Sequence, residues 1–222
     1  MAAIAAYFPQ LLVGLLLTLE VSIGSMLAGL LIGVVAAPLA LFGRAPVRRL
    51  VAIYVTIIRG LPELLIIFLV FYGGTVLLTR LVGHYVEVDA LTAGIVALSV
   101  VAGAYLTEII RGALEAIPRG QWEACRTLGL RPVSAFVHVI LPQMLANALP
   151  ALGNQWLVLL KESALVSVVG LEELMRKSVV AAGSTHQPLQ FYAIAALLYI
   201  MVTGVSTLLL QRAEDRLLLH RR

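Results

Sequence analysis

A chain of 222 residues that is 61% hydrophobic and only 13% charged, with mean hydropathy +1.00, carries more apolar surface than a water-soluble domain of its size can hide. The formal net charge of +4 would fit a nucleic-acid binder in isolation, but in so apolar a chain the distribution of Lys and Arg matters more than their sum, and no nucleic-acid partner is expected. The single cysteine, Cys125, excludes a disulfide framework, and His84, His138, His186 and His220 lack ligand spacing, so neither metal nor redox chemistry is expected.

The lipid bilayer is the solvent that suits such a composition. A helix needs about 20 apolar residues to cross roughly 30 Å of hydrocarbon, and five stretches meet that length. Leu11 to Leu41 carries only Glu20. Leu50 to Tyr72 is apolar except for a polar break at Arg59, Gly60, Pro62 and Glu63. Leu91 to Thr107, Leu141 to Leu160 and Phe191 to Leu210 hold no charge. The expected fold is therefore all-α and polytopic, a single transmembrane domain over 1–222 with five spans. No basic residue precedes the first apolar run and no small-residue cleavage site follows it, so Leu11 onward is expected to remain as the first helix.

The first span carries Thr18, Ser22, Ser25 and Gly29 at i, i+4, i+7, i+11, with Gly29 and Gly33 as a small-xxx-small pair. Such a stripe lets helices approach closely, either within the chain or at a subunit contact. Basic residues are biased by side. Arg44, Arg48, Arg49, Arg111, Arg119, Arg126, Arg131, Arg212, Arg216, Arg221 and Arg222 fall on one side of a five-span chain. Only Arg80, Lys161, Arg176 and Lys177 fall on the other, with Arg59 inside the membrane. That asymmetry predicts the N-terminus outside and the C-terminus in the cytoplasm.

The connection between the third and fourth spans, about 118–142, is too long and too mixed in charge for a simple turn. Pro118, Gly120, Gly129 and Pro132 punctuate it into two short helices, about Gln121 to Leu128 and Pro132 to Val139, with a turn at Gly129 and a bend at Pro142.

Charges at membrane depth are costly, and each is a functional candidate. Arg59, beside the helix-loosening Pro62, can take a substrate carboxylate by a bidentate contact, or pair with Glu63 or another helix's carboxylate. Glu162 ends the fourth span, where Ser163, Ser167 and Gly170 suggest a broken helix of the kind that builds transport sites. Glu162 can hold a substrate ammonium or guanidinium, with Ser163 adding a hydroxyl, or simply pair with Lys161. Glu20 either lines the cavity or pairs with a basic residue such as Arg59. Glu108, Arg111 and Glu115 share one helix face and form either a structural network or a ligand contact. An intramembrane protease would need a catalytic group at depth, and the nearest pair, Ser184 and His186, lies in a polar external segment, so no enzyme is expected. A channel or an ATP-independent transporter is argued against by the cytoplasmic 118–142 connection.

That connection reads Glu123-Ala124-Cys125, three residues, Gly129, nine residues, then Val139-Ile140-Leu141-Pro142. It resembles the EAA loop of permease subunits of bacterial ATP-binding-cassette importers, with Cys125 in place of the second alanine. Arg59-Gly60-Leu61-Pro62-Glu63, Gly103-Ala104-Tyr105-Leu106-Thr107-Glu108, Ala148-Leu149-Pro150-Ala151-Leu152-Gly153-Asn154 and Leu160-Lys161-Glu162-Ser163-Ala164-Leu165 are similar to the polar amino acid branch. Within it the chain is most similar to Q-type subunits of histidine/lysine/arginine/ornithine and octopine or nopaline importers. The resemblance implies a permease in the bacterial inner membrane forming half of a translocation pathway for basic amino acids or opines. It further implies two ATPase subunits that use ATP, a second M-type permease subunit or a second copy, and a periplasmic solute-binding protein. Glu123, Ala124, Gly129, Leu141 and Pro142 would couple to the ATPase. No cofactor is expected on this chain itself.

Overall fold

The computed structural model describes residues 2–219, with side chains for residues 4–216, so His220, Arg221 and Arg222 lie outside the described residues. All regular structure in the described residues is helical. Five helical runs are long and apolar enough to cross a membrane.

The first helix, α1 (Ala2–Phe42), spans 41 residues, about 60 Å at 1.5 Å per residue, twice the hydrocarbon thickness. It stops at Gly43, whose N–H reaches the Leu39 carbonyl at 3.1 Å. A Cβ at Gly43 would sit 2.3 Å from that carbonyl oxygen, so the turn accepts only glycine. Helix α2 (Ala45–Gly60) then runs back along α1.

The expected second span, Leu50 to Tyr72, is corrected here. Leu61 and Pro62 are extended, and α3 (Glu63–Val82) starts afresh. Proline supplies no N–H and drives the residue before it out of the helical region, so the ladder breaks although the hydropathy runs on. The run long enough to span is Glu63–Val82, while α2 is a separate amphipathic helix on α1 and α4.

Helix α4 (Ala90–Glu115) is the axis of the molecule. Asp89 caps it, accepting the Thr92 N–H at 3.0 Å, and α1, α2, α3 and α7 surround it. The small-residue stripe of α1 is spent within the chain. A Cβ on Gly29 would come within 2.8 Å of Ala102 Cβ, and one on Gly33 within 2.9 Å of Leu106 Cβ. Thr18, Ser22 and Ser25 are fully buried, and Ser25 Oγ donates across to the Ile95 carbonyl at 3.3 Å. In lipid, where apolar surface has nothing to gain by leaving solvent, such close backbone contact and interhelical hydrogen bonds hold helices together.

After α5 (Arg119–Thr127) the chain enters one continuous helical run, Pro132–Val169. It comprises α6 (Pro132–Ala135), a π-helical turn at Phe136–Ile140, α7 (Leu141–Glu162) and a 3-10 segment, Ser163–Val169, ended by Gly170 at φ +99°. The bend expected at Pro142 is instead this widened turn. Pro142 offers no N–H to the preceding turn and its ring crowds the carbonyl four residues back, which a π turn relieves without stopping the helix. Helix α8 (Leu174–Thr185) packs on α1, and α9 (Pro188–Leu219) closes the structure against α7 and α8.

Candidate transport site and coupling surface

The hairpin at 119–135 is built around Gly129, which takes φ +65°. Its N–H donates to the Arg126 carbonyl and the Leu130 N–H to the Cys125 carbonyl, both at 3.0 Å, the paired bonds of a Schellman cap that needs a left-handed residue. Glu123 and Ala124 lie on α5 before this cap, and Leu141 and Pro142 open α7 after the π turn. Cys125 is buried beneath the hairpin. The tip carries Leu128 and Val133, exposed by 76% and 75%, an apolar pair that a lone hairpin in water has no reason to present. Gln143 Nε2 donates to Gln121 Oε1 at 3.3 Å, tying α5 to the base of α7.

Directly above, Arg111 forms a two-bonded fork with Glu108, at 3.0 and 2.7 Å, and reaches Glu115 at 2.8 Å. The trio is thus a network within α4, one guanidinium shared between two carboxylates.

Glu162 sits where α7 tightens into the 3-10 segment. Its Oε2 atom is buried and has no hydrogen-bond partner, and the charges it feels are the Glu63 carboxylate and the Lys161 ammonium. Glu63 opens α3 immediately after the Pro62 break, and α3 packs against the 3-10 segment. Two interrupted helices therefore bring two carboxylates near one another, an arrangement that favours a cation between them. In the sequence Glu63 figured only as a partner for Arg59; two helix breaks facing each other were the signal for it.

The other expected ligand groups are placed differently. Arg59 makes no ion pair among the described residues: its guanidinium lies 5.1 Å from the centre of the Tyr105 ring, and Glu108 feels its charge. Neither Glu63 nor Glu20 pairs with it. Ser163 is fully buried and its hydroxyl donates to the Leu160 carbonyl at 2.8 Å, so it shapes the helix break instead of offering that proton to a ligand. Glu20 is exposed on α1, on the side away from the buried Thr18 and Ser22. It stands about 33 Å along the helix from Phe42, close to a full hydrocarbon thickness.

The sequence also gave no special place to Glu173. It caps α8, is wholly inaccessible, and accepts from the backbone N–H groups of Met175 and Arg176 at 2.9 and 2.8 Å. Tyr199 of α9 and Thr18 of α1 each reach its Oε2 at 3.2 Å. Burial pushes this carboxyl above the usual range and the four donors pull it back. Gly14 permits the junction, since a Cβ there would lie 3.0 Å from the Glu173 and Leu174 backbone.

Residues 29–220 match the family model described as "binding-protein-dependent transport system inner membrane component". The chain belongs to that family. It is 41% identical over 201 residues to the arginine ABC transporter permease protein ArtQ of Haemophilus influenzae, covering 90% of each chain. It is also 41% identical over 216 residues to the nopaline transport system permease protein NocQ of Agrobacterium fabrum, covering 95% of this chain and 92% of that one. In structure it is similar, at 34% identity and TM-score 0.85, to a chain of the crystal structure of an amino acid ABC transporter with histidines, covering 97% of both. A chain of the inward-facing MetNI methionine ABC transporter shares the fold, at 23% identity and TM-score 0.76.

Proposed function

We propose that this chain is the permease subunit of an ATP-driven importer for amino acids, of the basic amino acid or opine class, and that it lines half of the pathway. The observation that carries the reading is the Gly129-capped hairpin with its exposed Leu128 and Val133, joined without interruption to the helix that ends at Glu162. Two ATPase subunits would receive the hairpins of this chain and of a second permease subunit, paralogue or copy. ATP binding would draw the ATPases together, and the hairpin would pass their motion to α7. A periplasmic solute-binding protein would deliver substrate to an inner-membrane complex with the N-terminus of this chain outside and its C-terminus in the cytoplasm, in keeping with the basic-residue asymmetry.

The substrate class is supported by the Glu63 charge acting on Glu162 with no ion pair to either carboxylate among the described residues, and by the arginine and nopaline permeases among the relatives. A cationic side group held between the carboxylates would satisfy the orphaned Glu162 oxygen. Arg59 stands on the adjoining helix end, where it would favour a substrate carboxylate.

Gly129→Asp tests the coupling. A side chain at φ +65° strains the cap, and a charge enters the apolar tip. The protein should insert normally but retain at least tenfold less ATPase subunit in a pull-down, about 1.4 kcal/mol of lost association. Normal retention with normal uptake would refute the coupling role.

A further inference from the structure

An apolar crevice of about 570 Å³ runs between α1 and α2, walled by Leu31, Val35 and Leu39 on one side and Leu50, Val51 and Tyr54 on the other. Its one polar atom is already engaged, because the Tyr54 hydroxyl donates to the Val100 carbonyl at 2.7 Å and leaves only the ring edge facing the groove. Leu31, Val35 and Leu50 are 70%, 62% and 67% exposed, so no described part of the chain covers them. Such a slot suits a hydrocarbon chain and no polar ligand.

Its mouth is basic. The tight Gly43 turn puts Arg44 at the N-cap of α2, in extended backbone and exposed, at the same end of the α1–α2 hairpin as the crevice. Arg48 stands one turn further on, lining the adjoining pocket together with Arg111 and Glu108, which are bonded to each other. Arg44 and Arg48 are exposed and form no ion pair among the described residues. No side chain caps α2, so its first-turn N–H groups add a positive end to the same place. Fatty slot and exposed positive mouth coincide at the end of the α1–α2 hairpin, which the basic-residue asymmetry puts at the cytoplasmic surface.

We propose that the α1–α2 crevice is a binding site for an anionic phospholipid, with an acyl chain along 31–39 and 50–54 and the phosphate at Arg44 and Arg48. A second permease subunit is the weaker occupant, because it would need to bring its own acids to those two arginines. The site is independent of the transported substrate.

The test uses the full-length chain in its complex with partner subunits, in nanodiscs holding trace phosphatidylglycerol or phosphatidylcholine with a photoreactive group in the acyl chain. Labelling within 31–39 and 50–54 should favour phosphatidylglycerol by roughly ten- to thirtyfold, the preference two near-surface arginines supply. Arg44→Gln with Arg48→Gln should bring it to the phosphatidylcholine level. Val35→Trp, at a position 62% exposed and so tolerant of bulk, should abolish labelling by both lipids while the complex stays intact. Equal labelling of the two lipids in the parent would reduce the crevice to ordinary lipid annulus and overturn the proposal. So would a photoreactive residue at position 35 that cross-links to the second permease subunit.

Discussion

Glu162 and Glu173 bracket the 3-10 segment, and the two carboxylates live in opposite circumstances. Glu173 is wholly buried yet answered by two backbone N–H groups and two hydroxyls from three helices. Glu162 is less buried, but one of its oxygens has no partner and it feels the charge of another carboxylate, Glu63. A buried polar group that is satisfied adds order, whereas one left unsatisfied costs free energy until something binds it. The first belongs to the architecture, and the second has an unanswered oxygen, which is why we propose it as a ligand group.

The sharpest way to break this contrast is Glu173→Ala. It orphans three donors at one junction, since the Thr18 hydroxyl keeps the Gly14 carbonyl as an acceptor, and the cost should be about 3–5 kcal/mol, seen as a large fall in the thermal unfolding temperature in detergent and in the yield of folded protein. Glu173→Gln, which keeps one carbonyl acceptor, should lie between that variant and the parent. An unchanged unfolding temperature in both would show that the junction carries no stability.

Glu162→Gln should do the reverse. It removes a charge that has nothing to pair with, so stability should hold or rise while substrate is lost. A charge-assisted contact contributes about 1.5–3 kcal/mol, so uptake of arginine or octopine should fall by roughly one to two orders of magnitude with the binding protein saturating. Basal ATP hydrolysis should change far less. Parental uptake of both substrates would move the ligand site away from Glu162.

The smallest effect belongs to Glu172, adjacent in sequence to Glu173. It is exposed and pairs with Lys177, whose side-chain hydrogen bond and charge hold its carboxyl below the usual range. Glu172→Gln should leave uptake within about twofold of the parent and stability unmoved, as solvated pairs contribute little. A loss comparable to that of Glu173→Ala would mean that burial does not rank these acids.

The hydropathy pattern gave the number of crossings and placed four of the five, and Gly129 announced its turn because only a left-handed position explains glycine between two short helices. What it concealed is instructive. Leu50 to Tyr72 reads as one span because hydropathy averages over Pro62, while the backbone ladder breaks there. Pro142 reads as a bend because sequence alone does not show that a π turn can absorb a missing N–H. Glu172 and Glu173 are chemically identical neighbours in the chain, and it takes the α8 cap together with Thr18 and Tyr199, remote in sequence, to make one of them structural. The pairing of Glu63 with Glu162 likewise needed the packing of α3 on the 3-10 segment.

The unbroken run from Pro132 to Val169 has a mechanical consequence. Its 38 residues form a rod of about 57 Å with the exposed hairpin tip at one end and Glu162 near the other. If the π turn is the fulcrum, the arm from Pro142 to Glu162 is about 30 Å, so a tilt of only 10° displaces Glu162 by about 5 Å. That displacement exceeds the length of a hydrogen bond, enough to change which groups the Glu162 carboxylate can reach.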